Sequence, residues 1–310
     1  MFFGLFKREP KPFNEGFLPP KDGHEIYFAE YGNPRGEPVL CFHGGPGGCS
    51  GVGYTHAFDL KKYRVILHDQ RGCGRSVYQD RFYKNTTPDL ISDAKRLLAH
   101  LNIDKKVIVR GGSWGSTLAL LFALKYPAAV RRLILNSIFL AGSSDRDWME
   151  NLSGDLFYPD IMAKIKAPIK GQALSPFYNR LLQGNKKDIN RAMGLYGGYE
   201  GIMGSERAEL LKPPFDENQI RYAQLFFHYD ANNYFIGQDE ILKNAGKIAA
   251  LPTLIVHNRL DMSCPVKNAW LLHKALPKSK LVIVPSRRHV GPLLHETIKK
   301  EILKIDRKTG

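Results

Sequence analysis

The stretch that most constrains the fold is Val107-Ile108-Val109-Arg110-Gly111-Gly112-Ser113-Trp114-Gly115-Ser116-Thr117. An apolar run enters a serine flanked by glycines, and the helix-prone run Leu118-Ala119-Leu120-Leu121-Phe122-Ala123 leaves it. A G-x-S-x-G pattern between a strand and a helix reads as a nucleophile elbow. The turn is so sharp that Ser113 is expected in a strained conformation, with Gly111 and Gly115 where side chains would collide. Such a turn lifts the hydroxyl out of the sheet. It also sets the Trp114 amide at a helix N-terminus, where negative charge is favoured.

Short apolar or alternating runs recur at 24–31, 39–42, 64–68, 133–136, 253–257 and 280–284, and each reads as a strand. Thr86-Thr87-Pro88-Asp89 opens a helix with a capping Thr and a Pro in its first turn, and apolar residues from Leu90 to Leu101 follow at helical spacing. A terminal helix spans 296–305. Strands alternating with helices predict an α/β fold, a mostly parallel central sheet with helices on both faces. Residues up to about Asn14 read as an arm. From 141 to 246 the strand rhythm stops. Helical stretches rich in aromatics are broken there by Pro159, Pro168, Pro176, Pro213 and Pro214. The expected organisation is a core of 1–140 and 247–310 with a helical cap of 141–246 inserted between two strands.

A chain of 310 residues buries a core without staples. Its four cysteines form no C-x-x-C pair, which argues against a zinc site or disulfide framework and for a reducing, cytoplasmic setting. The apolar start at Met1 to Phe6 is too short for a signal peptide core, and no run reaches the length of a membrane span. The net charge of +15 invites a nucleic-acid reading, but the basic residues are scattered rather than set on a recognisable module. They read as a solvated surface, with no nucleic acid as partner. Nothing indicates an oligomeric state.

A neutral serine needs a base, and the base needs a buried acid to hold its tautomer. In elbow hydrolases the chain order is Ser, then Asp or Glu, then His. After Ser113 the last two strands each deliver one such residue onto a following loop, Asp261 and His289. His257 sits at the end of its strand and reads as a core histidine; His228 falls in the insertion, His295 towards the last helix and His43 at the head of a glycine loop. That loop, His43-Gly44-Gly45-Pro46-Gly47-Gly48, lacks the lysine of a P-loop and the G-x-G-x-x-G of a dinucleotide site. It suits the second oxyanion donor, so the hole is expected from the amides of Gly45 and Trp114. Asp69 and Arg71 read as braces for their own loop. This chemistry calls for no metal or organic cofactor.

These residues bring out a resemblance. His43 to Gly48, Asp69 to Ser76 (DQRGCGRS), Asn85-Thr86-Thr87, Gly111 to Leu120 (GGSWGSTLAL), Asp261 to Pro265 and Asn268-Ala269-Trp270 resemble the prolyl aminopeptidases, or proline iminopeptidases, serine peptidases of the α/β-hydrolase fold. The resemblance implies Ser113, Asp261 and His289 as the triad. It implies release of an N-terminal proline, or another small residue, from a small peptide or amino-acid derivative. It also implies acidic cap residues that hold the substrate's amine. Tyr199-Glu200-Gly201 looks like the family's W-E-G motif, so Glu200 is carried over. The family's acid before N-H-Y-F is Ala231 here, before Asn232-Asn233-Tyr234-Phe235, and the neighbouring Asp230 is the candidate substitute. Arg288 replaces the family's Gly before the base. The alternative is an esterase or amidase on the same scaffold, acting on an uncharged acyl group.

Overall fold

A computed structural model describes residues 9–149, 153–204 and 210–309. Eight strands form one sheet: β1 (Asn14–Phe17), β2 (Tyr27–Gly32), β3 (Glu37–Phe42), β4 (Tyr63–His68), β5 (Val107–Ser113), β6 (Val130–Ile138), β7 (Thr253–Asn258) and β8 (Ser279–Val284). Their order is β1-β2-β4-β3-β5-β6-β7-β8. β2 runs antiparallel to β1 and β4, and all other neighbours are parallel.

The central strands are apolar on both sides because both faces are covered. On β5, Val107 and Val109 join the larger core cluster while Ile108 joins the smaller one behind the sheet. Helices α1 (Thr87–His100) and α2 (Trp114–Lys125) pack into the larger core. The Asp89 carboxylate caps α1 by accepting from the Thr86 hydroxyl at 2.6 Å and the Thr86 amide at 3.3 Å. From Trp114 to Ala123 every residue of α2 is buried, so this helix is apolar all round.

β6 and β7 are sheet neighbours, yet residues 139 to 252 lie between them. That stretch adds no strand among the described residues. It forms α3 (Ser143–Asp147), α4 (Ser153–Phe157), α5 (Pro159–Lys166), α6 (Leu174–Leu182), α7 (Lys186–Gly204), α8 (Glu217–Ala231) and α9 (Glu240–Asn244). Then α10 (Val266–Ala275) joins the larger core and α11 (Pro292–Thr309) covers the opposite face. No helix among the described residues is long and apolar enough to cross a membrane.

Three local differences have physical causes. The arm ends in an edge strand, β1, whose side chains are mostly exposed and so carry no apolar alternation. The run 24–31 splits, with His24–Glu25 pairing to Val77–Tyr78 in a separate ribbon. The terminal helix starts earlier, at Pro292, where a fixed φ and a missing donor suit the first turn.

Candidate active site

Ser113 ends β5 with φ 56° and ψ −131°, a strained conformation for a side-chain-bearing residue. A Cβ on Gly111 would lie 2.0 Å from the Gly115 carbonyl oxygen, and one on Gly115 would lie 2.2 Å from that of Phe42. Both glycines are therefore steric requirements of the elbow, and the second also seats it against the end of β3. Trp114 is the first residue of α2, so its amide belongs to the turn whose N–H groups have no intrahelical acceptor. The Ser113 side chain is half-buried and lies beside the Cys264 thiol.

The glycine loop lies beside this turn. Gly45 has φ +134°, and a Cβ there would meet the Gly47 and Gly48 nitrogens at 2.7 Å. Gln70 fastens the loop to the elbow. Its amide N–H donates to His43 Nε2 and its Nε2 donates to the His43 carbonyl, while Trp114 Nε1 donates to Gln70 Oε1, each at 3.0 Å. His43 Nε2 accepts, so Nδ1 carries the proton and donates to the Gly44 carbonyl at 2.8 Å.

The charged residues of the neighbouring loop brace it. Asp69 accepts from the Ser50 amide and hydroxyl at 2.7 and 2.6 Å and from Arg75 N and Nε at 2.9 and 2.8 Å. Burial works against the Asp69 charge, yet the bonds from Arg75 and Ser50 bring its pKa down to about 2. Arg71 is buried and grips Asp93 at 2.6 and 3.0 Å.

Asp261 and His289 come from the loops after β7 and β8. The Asp261 carboxylate is buried. Its Oδ1 accepts from the Ser263 and Cys264 amides at 3.0 and 2.9 Å. His289 Nδ1 donates into the same carboxylate, 3.0 Å from Oδ1 and 2.9 Å from Oδ2, which leaves Nε2 with the lone pair. Burial opposes the His289 imidazolium, but the charge and hydrogen bond of Asp261, with the charge of Glu200, outweigh it and raise the pKa. The Ser137 hydroxyl donates to the His289 carbonyl at 2.8 Å and so anchors the loop. His257 is a buried strut. Its Nδ1 accepts from the Ile138 amide at 3.0 Å and its Nε2 donates to the Cys264 carbonyl at 2.8 Å. Arg288 is exposed, its stem lies against Gly291, and it takes no part in the pocket wall.

Gly45, Ser113, Glu200 and His289 line one pocket of about 110 Å³. Phe139, Tyr196, Tyr199, Tyr222, Phe226 and Tyr234 supply its rings. Glu200 is its only carboxylate among the described residues. Glu200 stays open to solvent through the pocket, yet the protein crowding its carboxylate raises the pKa, outweighing a hydrogen bond from Tyr196 and the charge of His289. Asp230 lies elsewhere. It is buried, accepts a hydrogen bond from the Ser175 hydroxyl and lies beside Tyr234, and Tyr234 rather than Asp230 forms the wall. Of the rings, Tyr196, Tyr222 and Phe226 carried no individual signal in the sequence beyond the aromatic richness of 141–246. A larger cleft of about 310 Å³ between α1, α2 and α9 holds no serine–histidine pair, so size alone does not locate the chemistry.

The sheet order and the elbow define the α/β-hydrolase class. A family model described as the alpha/beta hydrolase fold matches residues 37–296. Among solved structures, VinJ aligns with a TM-score of 0.65 at 20% identity, covering 96% of this chain and 98% of its own. A thermophilic esterase from Thermogutta terrifontis aligns with a TM-score of 0.56 at 18% identity, covering 92% and 94%. At such identities the likeness is one of fold. Sequence relatives go further. The "Probable proline iminopeptidase" of Leptolyngbya boryana is 38% identical over 286 residues, 90% of this chain and 89% of that one. The proline iminopeptidase of Xanthomonas citri is 35% identical over 297 residues, 91% and 92% of the two chains. That of Arabidopsis thaliana is 34% identical over 288 residues, 90% and 76%. The chain belongs to the proline iminopeptidase family, hydrolases of the α/β-hydrolase fold.

Proposed function

We propose that this chain releases N-terminal proline, or another small residue, from short peptides through an acyl-enzyme on Ser113. The observation that carries the reading is one aromatic pocket holding a serine, a histidine backed by a buried aspartate, and a single carboxylate. His289 Nε2 takes the Ser113 proton as Oγ attacks the prolyl carbonyl. Asp261 holds the tautomer and steadies the imidazolium. The amides of Gly45 and Trp114 receive the oxyanion. His289 then gives its proton to the leaving amine, water attacks the acyl-enzyme, and free proline departs. Glu200 and the surrounding rings receive the substrate's ammonium, through a charge-assisted hydrogen bond and the ring faces.

In this reading 141–246 acts as a cap over a core of 1–140 and 247–310, and it brings Glu200 to the chemistry. The four free cysteines fit a cytoplasmic location. The second reading, an esterase or amidase for an uncharged acyl group, is favoured by one observation: Asp230 adds no second carboxylate to the wall. A prolyl arylamide, its N-acetyl counterpart and a short-chain ester decide between them. The peptidase turns over the first and rejects the second. Equal rates on the first two overturn it in favour of the second reading. In both readings Ser113→Ala abolishes turnover and labelling by a fluorophosphonate.

A further inference from the structure

The cleft of about 310 Å³ opens between α1, α2 and the chain that leads from α8 into α9. Its wall is aliphatic over Ile91 of α1, Leu121 and Leu124 of α2, and Ile236, with the Phe235 ring beside them. That volume lies at the small end of the range of about 300–1,000 Å³ usual for small-molecule sites. Lys125, the last residue of α2, and Lys247, beyond α9, also line it, and both side chains are exposed, so they form its rim.

The polar groups of the wall are unevenly engaged. Glu240 Oε2 accepts from the Gly237 amide at 2.8 Å, and Asn244 Nδ2 donates to the Glu240 carbonyl at 2.8 Å. The Thr87 hydroxyl donates to the Tyr234 carbonyl at 2.5 Å. Neither lysine forms an ion pair among the described residues. Lys125 Nζ lies 5.6 Å from the Tyr126 ring centroid. Two cations therefore stand against one carboxylate that already has a donor. The wall offers burial to an apolar body, and the ammonium groups offer charge-assisted hydrogen bonds to an acidic head. A cationic guest would meet like charge at the rim, and a neutral one would leave the lysines unused.

One turn faces both this cleft and the catalytic pocket. Tyr234 walls the pocket, packed on Trp114 and Phe139 with ring centroids 5.5 and 5.1 Å away. Phe235, the next residue, walls the cleft, and so does Thr87, which holds the Tyr234 carbonyl. Asn233, Tyr234 and Phe235 have φ of 53°, 54° and 52°. Three successive side-chain-bearing residues in the left-handed region are strained, and they persist only where their surroundings hold them.

We propose that the cleft binds a small aliphatic carboxylate, its chain on Leu121, Leu124 and Ile236 and its head at Lys125 and Lys247. The guest packs on Phe235 and Ile236 in the turn conformation that seats Tyr234 in the catalytic wall. Occupancy therefore steadies that wall and lowers KM. The effect on KM rests on the hydrolase reading of the site; the binding does not.

The test titrates the full chain with octanoate, octanol and octylamine, followed by calorimetry and by methyl resonances. Octanoate is expected to bind saturably and about tenfold more tightly than octanol, with octylamine weaker still. It should shift the methyl signals of Ile91, Leu121, Leu124 and Ile236. The Lys125→Gln/Lys247→Gln variant, changed only at exposed side chains, loses the preference for octanoate and keeps its affinity for octanol. On a prolyl arylamide, octanoate should lower KM about twofold or more in wild type and leave the double variant unchanged. Equal affinity for octanoate and octanol, an undiminished preference in the double variant, or methyl shifts elsewhere overturns the proposal. Competition with the arylamide places octanoate in the catalytic pocket and overturns it too. Binding with an unchanged KM overturns the link to the catalytic wall. Octanoate binding at these methyl groups by a chain that turns over no prolyl arylamide leaves the cleft site standing and sinks the proposed function instead.

Discussion

Replacing Asp261 with Asn probes the tautomer argument with little change in shape. The Asp261 Oδ1 already accepts from the Ser263 and Cys264 amides, and an asparagine carbonyl keeps both bonds. Its NH2 then faces His289 Nδ1, where the carboxylate stood 2.9 Å away. Two donors cannot share that line, so the imidazole proton moves to Nε2 and Nδ1 becomes the acceptor. An Nε2 that carries a proton cannot take one from Ser113. The expected loss in kcat on a prolyl arylamide is about four powers of ten, the size of the same change in chymotrypsin-type triads, or about 5 kcal/mol of barrier. Stability carries a second signature. Asp261 raises the His289 pKa in the folded chain, so the pair's contribution is full below the unfolded value near 6.5 and fades as pH rises through the raised value. The Asn variant should therefore melt further below wild type at pH 5.5 than at pH 9. The assays are single-substrate kinetics, thermal unfolding at the two pH values, and the His289 titration by NMR. A variant within tenfold of wild type, or one whose His289 pKa does not fall, would refute the assignment of Asp261 to His289.

Other expectations are equally direct. Glu200→Gln removes a charge-assisted bond of about 1.5–3 kcal/mol. It should lower kcat/KM on a prolyl arylamide by roughly tenfold to 150-fold while an acetyl ester changes less than about threefold. Gly111→Ala sets a Cβ 2.0 and 2.5 Å from the Gly115 backbone, where nothing flexible can yield, so calorimetry should find it unfolded or severely destabilised. Gly53→Ala meets nothing within 4 Å and should stay within about 0.5 kcal/mol of wild type. Asp69→Asn loses a carboxylate held at about 2 against an ordinary 3.8, roughly 2 kcal/mol. That contribution is present above the unfolded pKa and lost as pH falls towards 2, so denaturant titrations should show a larger deficit at pH 7 than at pH 3.

What was legible in the sequence was whatever repeats at a short period or sits at a fixed spacing. The central strands announce themselves because two covered faces demand unbroken apolar runs, as at Val39-Leu40-Cys41-Phe42. The elbow is legible because Gly111 and Gly115 touch backbone and admit no other residue. β1 was not legible, since an edge strand of exposed side chains has no pattern to show. That the rings line one pocket was not legible either, although Tyr199 and Tyr234 stood in quoted motifs. Tyr196 and Tyr199 on α7, Tyr222 and Phe226 on α8, and Tyr234 beyond it converge only through tertiary packing, and a helix-spaced aromatic looks the same whether it faces a core or a substrate. Gln70 was quoted for its motif, yet its work as a clamp between His43 and Trp114 depends on a contact 44 residues away in sequence.

The departures from the family pattern act together on how a substrate amine is held. Ala231 stands where a carboxylate is expected, and Asp230 next to it is turned into the protein, behind Tyr234. Under the proposed function, amine capture then falls to Glu200 and the ring faces. A ring face within reach contributes about 0.5–2 kcal/mol to a bound cation, against about 1.5–3 for a charge-assisted hydrogen bond. Two or three rings therefore match a lost carboxylate in energy. They do not match it in direction, because a ring face attracts a positive charge without fixing where its N–H bonds point. Proline's secondary ammonium and the primary ammonium of another small residue differ mainly in those bonds. Under that proposal, a pocket with one carboxylate among rings is expected to keep its demand for a positive charge and to relax its demand for an imino group. The exposed Arg288 adds nothing to that choice, since it lies outside the wall.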